Sequence, residues 1–201
     1  DPNYPCNRHF MALAGAEVDA VPVGRNTGWQ LTAPLIEQHW QAKTRLAMLA
    51  SPSNPTGHTL DAQALTKVID TVAAKGGDVI VDEIYQGLNY DDAPLSATSL
   101  SDDAFVVNSF SKYFGMTGWR LGWLVAPEAA VPELEKLAQN LYICAPHMAQ
   151  QAALAAFGEE SREICEIRRR AFQVRRDFLL PAVRDLGFKV PVTPQGAFYL
   201  Y

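Results

Sequence analysis

Cysteine is scarce in this chain of 201 residues: Cys6, Cys144 and Cys165 are the only three. An odd number at wide spacing does not make a disulfide framework, so reduced thiols and a cytoplasmic setting are expected. Histidine is nearly as sparse. His9, His39, His58 and His147 stand apart from the cysteines, with no metal-ligand spacing, so no metal centre is expected. An excess of positive charge is also absent. The formal net charge is −5, which argues against the basic face that a nucleic-acid binder needs. No apolar run is long enough to cross a membrane, and no signal peptide opens the chain. The single basic cluster, Arg168, Arg169 and Arg170 with Arg175 and Arg176, reads as the solvated face of a helix.

What is present is apolar. Hydrophobic residues make up 48% of the chain, enough for a sizeable core within one large domain or one domain and the start of another. Short β-branched runs alternate with helical periods. Residues 18–23 read as a strand, 34–43 as a short helix and 46–50 as a second strand. A turn-rich stretch follows, Ser51-Pro52-Ser53-Asn54-Pro55-Thr56-Gly57. Leu65, Val68, Ile69 and Val72 fall on one helical face, with Asp61 as N-cap and Gly76-Gly77 as stop. Val79-Ile80-Val81 is apolar throughout, as expected of a parallel strand buried on both faces. Residues 105–107 and 121–125 read as two further strands. From Pro127 the pattern turns helical, over 133–140, over 148–157 and in a long stripe from Ser161 that Pro181 is expected to break or kink. The final run, Ala197-Phe198-Tyr199-Leu200-Tyr201, reads as an unfinished strand, so the sequence is expected to be a piece of a longer chain.

This alternation predicts an α/β fold with a mostly parallel sheet flanked by helices, in which ligands gather at the carboxyl ends of the strands. Three strand ends deliver unusual polar residues. After one comes Asn54, in Asn-Pro-Thr-Gly. After the next come Asp82 and Tyr85, in Val81-Asp82-Glu83-Ile84-Tyr85. After the third comes Ser109-Phe110-Ser111-Lys112, followed by Gly118-Trp119-Arg120-Leu121-Gly122. Each stretch alone is common. Their order and placement together are not.

Together they resemble the class I/II aminotransferases, the fold-type-I pyridoxal-phosphate enzymes typified by aspartate aminotransferase. The segment from Ser109 to Gly122 matches that family's cofactor-lysine signature, and Gln195-Gly196-Ala197-Phe198-Tyr199 is similar to a strand of its small domain. The resemblance covers essentially the whole chain. It implies pyridoxal 5′-phosphate as cofactor and Lys112 as the lysine that joins it through a Schiff base and later moves a proton. It implies Asp82 as counter-charge to the pyridinium nitrogen. Asn54 and Tyr85 become donors to the phenolic oxygen, Arg120 a guanidinium clamp on the phosphate, and Ser109 and Ser111 further phosphate contacts. Tyr4 becomes the aromatic ring stacked on the cofactor. Gly118 and Gly122 are expected to permit close backbone approach, and Trp119 and Trp123 to pack the core.

The resemblance further implies a cofactor-binding large domain over 1–160, and a connecting helix with the start of a smaller α/β domain over 161–201. The implied reaction is transamination between an L-amino acid and a 2-oxo acid in a homodimer. The arginine for the substrate carboxylate is implied to lie outside this sequence. Two other readings share these residues. One is C–S β-elimination on the same scaffold, and the other is the effector-sensing domain of a transcription regulator.

Overall fold

The computed structural model describes residues 1–201, in ten regular elements and several short 3-10 turns. Helix α1 covers Cys6–Leu13 and α2 covers Ala33–His39. Strand β1 (Leu46–Ala50), helix α3 (Ala62–Ala74), strand β2 (Asp78–Asp82) and strand β3 (Phe105–Ser109) follow. Strand β4 (Gly122–Val125) then leads into α4 (Val131–Leu141), α5 (His147–Ala156) and α6 (Glu159–Asp185). The sheet order is β1-β2-β3-β4. β1, β2 and β3 are parallel, and β4 runs antiparallel to β3. This is the expected α/β architecture with a mostly parallel sheet.

The core forms where the periodicities demand. Leu65, Val68, Ile69 and Val72 line the buried face of α3 and meet Ala47, Leu49, Val79, Val81 and Val106 of the sheet. Asp61 caps α3 by accepting a hydrogen bond from the Ala64 amide at 2.7 Å. Gly76, at φ +69°, ends the helix in the left-handed conformation that glycine adopts without a Cβ clash.

Several boundaries differ from the sequence expectation. Residues 18–23 form no strand. Their β-branched side chains favour extended backbone, but the backbone pairs only locally and with Asp1, so no ladder forms. Helix α2 stops at His39 because Trp40 turns into extended backbone. Its indole then covers Gly77, where a Cβ would lie 2.4 Å from the ring. Helix α6 runs through Pro181 to Asp185. The missing N–H there costs one backbone bond, while buried Leu180 and the Leu186-to-Ala182 bond hold the last turns in place. Residues 197–201 form no strand either. Gly196 makes a single antiparallel bridge with Asn89, and Ala197 at φ +60° then breaks the extended path.

The basic cluster of α6 is not simply solvated. Arg176 bonds Asp91 at 2.6 and 2.9 Å and the Pro194 carbonyl at 2.7 Å. Arg169 reaches the Asn89 carbonyl at 3.1 Å. Two of the five arginines thus fasten α6 to the loop after β2.

Candidate active site

Parallel pairing aligns the carboxyl ends of the strands. Ala50 stands beside Asp82, and Asp82 beside Val107, two residues before the end of β3. The loops that leave these ends therefore converge along one edge of the sheet.

The loop after β1 is rigid. Ser53 N–H donates to the His58 carbonyl and Gly57 N–H to the Ser53 carbonyl. Gly57 lies at φ +67°, and a Cβ there would sit 2.5 Å from Pro194, so this turn requires glycine. The Gly57 carbonyl accepts from the amides of Gln195 and Gly196 and welds residues 195–196 onto the loop. Asn54 projects from this turn, and its amide donates to the Tyr199 hydroxyl at 3.3 Å.

β2 ends in Asp82, whose carboxylate accepts from the Ile84 amide at 3.0 Å and forms no salt bridge. Burial raises its pKa, against the opposing pull of the Ile84 N–H and the Lys112 charge. Its neighbour Glu83 is buried and accepts from the Ala97 amide at 2.7 Å, a structural duty that leaves Asp82 as the available acid. Tyr85, only 3% exposed, shares a 2.5 Å hydrogen bond with the Tyr199 hydroxyl. Burial and that bond push the Tyr85 pKa well above the ordinary tyrosine range, partly offset by Asn54.

After β3, the Lys112 ammonium stands 5.8 Å from the ring centres of both Tyr85 and Phe198 and makes no hydrogen bond or salt bridge. Ser109 and Ser111 hydroxyls lie 2.9 Å apart, and the Ser111 amide donates to Ser109 Oγ at 3.0 Å. Arg120 sits at φ +53°, exposed, and donates only to the Thr117 carbonyl at 2.9 Å. Tyr4 is 41% exposed, yet near enough to Cys6, Tyr199 and Asp82 that each raises its pKa, the Cys6 hydrogen bond most.

Asn54, Tyr85 and Tyr199 thus meet directly, with Lys112, Asp82 and Tyr4 around them. Ser109, Ser111 and Arg120 form a second group where β3 hands over to β4.

The sequence and the fold recur in known proteins. The model of the family described as aminotransferase class I and II matches residues 1–201. The chain belongs to that family. Valine–pyruvate aminotransferase of Mycobacterium tuberculosis is 37% identical over 202 residues, covering 100% of this chain and 52% of its own. The aromatic aminotransferase structure from Pyrococcus horikoshii superposes with a TM-score of 0.92 at 33% identity, covering 99% of this chain and 54% of that one. A double mutant of Thermus thermophilus aspartate aminotransferase gives a TM-score of 0.93 at 27% identity, covering 100% and 53%. The chain spans about half the length of the curated relatives it matches.

Members of this class I and II family use pyridoxal phosphate, and the residues present fit that group. Asn54 and Tyr85 converge on one phenolic oxygen, that of Tyr199. A phenolic oxygen is also what the cofactor ring offers, so this pair of donors suits it. Around this point lie a carboxylate and an amine that form no salt bridge. Arg120, a guanidinium without a carboxylate, completes the set.

The two glycines of the motif differ in their surroundings, and the expected packing of Trp119 and Trp123 in the core is corrected. A Cβ on Gly118 would meet no protein atom within 4 Å. A Cβ on Gly122 would lie 2.7 Å from the Asn108 carbonyl oxygen, which cannot move without disturbing the β3–β4 ladder. Gly122→Ala is therefore expected to destabilise by about 1–3 kcal/mol in denaturant unfolding, while Gly118→Ala stays within about 0.5 kcal/mol. Trp119 and Trp123 do not fill the core. They are 46% and 36% exposed, and Trp123 touches Phe110 edge-on.

The sequence reading missed Tyr199 and Phe198 as site residues. It placed them in a strand, and nothing local marks a contact across 145 positions to Asn54. A cleft of about 400 Å³ is lined by Arg25, Trp29, His58 and Gln195 and by none of the residues named above as site candidates.

Proposed function

We propose that this chain supplies the cofactor-holding half of an aminotransferase that exchanges an amino group between an L-amino acid and a 2-oxo acid. One observation carries the reading. Asn54 and Tyr85 meet on a single phenolic oxygen, while Lys112 and Asp82 nearby keep their charges uncommitted.

Pyridoxal phosphate, when bound, supplies an electron sink for a carbanion at the substrate Cα. The chain's residues do the rest. Lys112 Nζ would hold the cofactor covalently, and the same amine is the group placed to carry a proton from the substrate Cα. Asp82 holds the proton on the ring nitrogen, because a carboxylate beside it favours the charged ring. Asn54 and Tyr85 orient and stabilise the phenolic oxygen. Arg120 offers a planar fork to the phosphate, with Ser109 and Ser111 as neutral donors. Tyr4 stacks on the ring face.

The proposal includes the division into a cofactor-binding domain over 1–160 and a connecting helix with the start of a second domain over 161–201. The start of α6 at Glu159 supports that boundary. It includes a homodimer in the cytoplasm. In support of the dimer, Leu141, Tyr142, Ile143, Met148 and Leu154 expose apolar side chains on and between α4 and α5. No helix is long and apolar enough to cross a membrane.

The test is product analysis with a panel of amino-acid donors and 2-oxo acid acceptors, using the longer chain that carries this sequence. The expected result is a new amino acid formed from the acceptor, with none in its absence. Pyruvate and ammonia released without acceptor would replace transamination by elimination. No turnover of any donor, with an effector response instead, would favour a sensing domain.

A further inference from the structure

Lys112 leaves β3 on a loop that two aromatic neighbours hold from different sides. Phe114 packs against Phe110 and against Phe157 at the end of α5, at ring-centre distances of 5.0 and 5.6 Å. Tyr113, the residue next to Lys112, turns elsewhere. Its ring lies against Gly87, where a Cβ would stand 2.6 Å from it, on the segment that carries Tyr85. Its hydroxyl donates to Glu166 Oε1 of α6 at 2.9 Å. The other Glu166 oxygen accepts from Arg169 Nε at 2.8 Å, and Arg169 Nη1 donates in turn to the Asn89 carbonyl at 3.1 Å. One carboxylate is thus shared between a phenol and a guanidinium, and the chain of bonds returns to the loop after β2. Burial and the Glu166 hydrogen bond push the Tyr113 pKa up to about 12, so the hydroxyl keeps its proton and donates throughout the neutral range.

We propose that Tyr113 is a positioning residue for Lys112, held in place from α6 by Glu166. This role deepens the function proposed above and rests on Lys112 being the lysine that attaches the cofactor. The backbone around Lys112 is bonded to itself. The Gly115 amide donates to the Lys112 carbonyl at 3.1 Å, the Met116 amide to the Phe110 carbonyl at 3.0 Å, and the Thr117 hydroxyl to the Ser111 carbonyl at 2.7 Å. Those bonds give the loop its shape and leave its hydrogen-bonded attachment to α6 to the Tyr113 hydroxyl. The Lys112 side chain makes no hydrogen bond of its own, and its flexible stem gives the amine no fixed direction. The amine is therefore aimed by where the Lys112 Cα and Cβ stand. Tyr113 fixes that origin, with its ring on Gly87 and its hydroxyl on Glu166. Because Gly87 and Tyr85 share one short segment, the same contact sets the amine relative to the Tyr85 hydroxyl. A rotation of the Lys112–Tyr113 peptide would swing the amine away, and misplacement by about 1 Å costs reactivity steeply. Tyr113 acts through Lys112 and needs no contact with the cofactor.

The test compares two forms of the cofactor in the longer chain that carries this sequence. Pyridoxal 5′-phosphate offers an aldehyde with which the Lys112 amine condenses: a C=N bond replaces the C=O bond and one water leaves. Pyridoxamine 5′-phosphate has an amine in that place and binds without attachment. Both are titrated by calorimetry into cofactor-free wild type, Tyr113→Phe, Glu166→Ala and the double variant, and the near-visible band reports attachment. Each single variant is expected to bind pyridoxal phosphate about five- to tenfold more weakly, the range that one half-buried hydrogen bond to a charged group allows. Each should bind pyridoxamine phosphate as tightly as wild type does. The double variant should be no weaker than either single one, because both remove the same bond. Glu166→Gln, which keeps an acceptor for the hydroxyl, should stay near wild type. Equal losses for the two cofactor forms would overturn the positioning role, because the bond would then be shaping the whole pocket. No loss for either form, or losses that add in the double variant, would overturn it too and leave the cofactor site standing. Binding of both forms by wild type with no band would overturn the assignment of Lys112, and the role of Tyr113 with it.

Discussion

Lys112→Ala is expected to abolish the near-visible band of lysine-bound pyridoxal phosphate and to lower amino transfer at least about a thousandfold. The size follows from the two tasks given to one amine. In the proposed function it is both the covalent anchor and the base that moves the Cα proton, a contribution worth roughly two to four decades by itself. The surroundings suit both tasks. The ammonium is half-buried against the rings of Tyr85 and Phe198, unpaired, and carried on the loop that leaves β3. An added primary amine should restore part of the proton transfer without restoring the attachment. The fold should be untouched, because the Lys112 side chain makes no hydrogen bond and its carbonyl, which accepts from the Gly115 amide at 3.1 Å, remains in the variant. Far-ultraviolet circular dichroism and a denaturant melt check that control.

Asp82→Asn is expected to lower the same activity by about three decades while making the cofactor-free protein more stable at neutral pH. The first effect is the loss of a carboxylate charge beside a protonated ring nitrogen. At about 4 Å and an effective dielectric near 20 such a pair is worth about 4 kcal/mol, or about a factor of a thousand in rate. The second effect follows from the pKa. In the cofactor-free fold, burial raises the Asp82 pKa above its ordinary value of 3.8. The folded state then binds the proton more readily than the unfolded chain. Its contribution to stability is fully present below pH 3.8 and is lost as pH rises through the raised folded value. Asparagine removes this loss, so the melting temperature of the variant should exceed wild type above that window and converge with it in acid. Glu83, raised chiefly by burial and to a lesser extent by the Asp82 charge, keeps part of the slope after the substitution. In the proposed loaded protein a protonated ring beside Asp82 would reverse the logic in the wild type alone, because a salt-bridge partner then faces the carboxylate.

Much of this fold is legible in the sequence, because its information is local. The α3 stripe repeats every turn, Asp61 sits three residues before the amide it caps, and Val79-Ile80-Val81 is apolar on both faces. The strand-end residues Asn54, Asp82 and Lys112 were legible for the same reason, as motifs closing short strands. What failed depends on distant partners. Residues 18–23 have strand-forming side chains and no second strand to pair with. Pro181 stays inside α6 because neighbours on both sides are held. Gly118 and Gly122 look equivalent in the motif, yet only one faces a backbone oxygen. Tyr199 joins the site through a turn at Ala197 and a weld to Gly57, neither of which any local pattern encodes.

The most direct measurement is borohydride reduction of the cofactor-loaded protein, followed by proteolysis and mass spectrometry of the peptides. The account predicts one modified residue, Lys112, carrying the reduced pyridoxyl phosphate. Modification of Lys43, Lys67, Lys75, Lys136 or Lys189 in its place, or of no lysine at all, would contradict it.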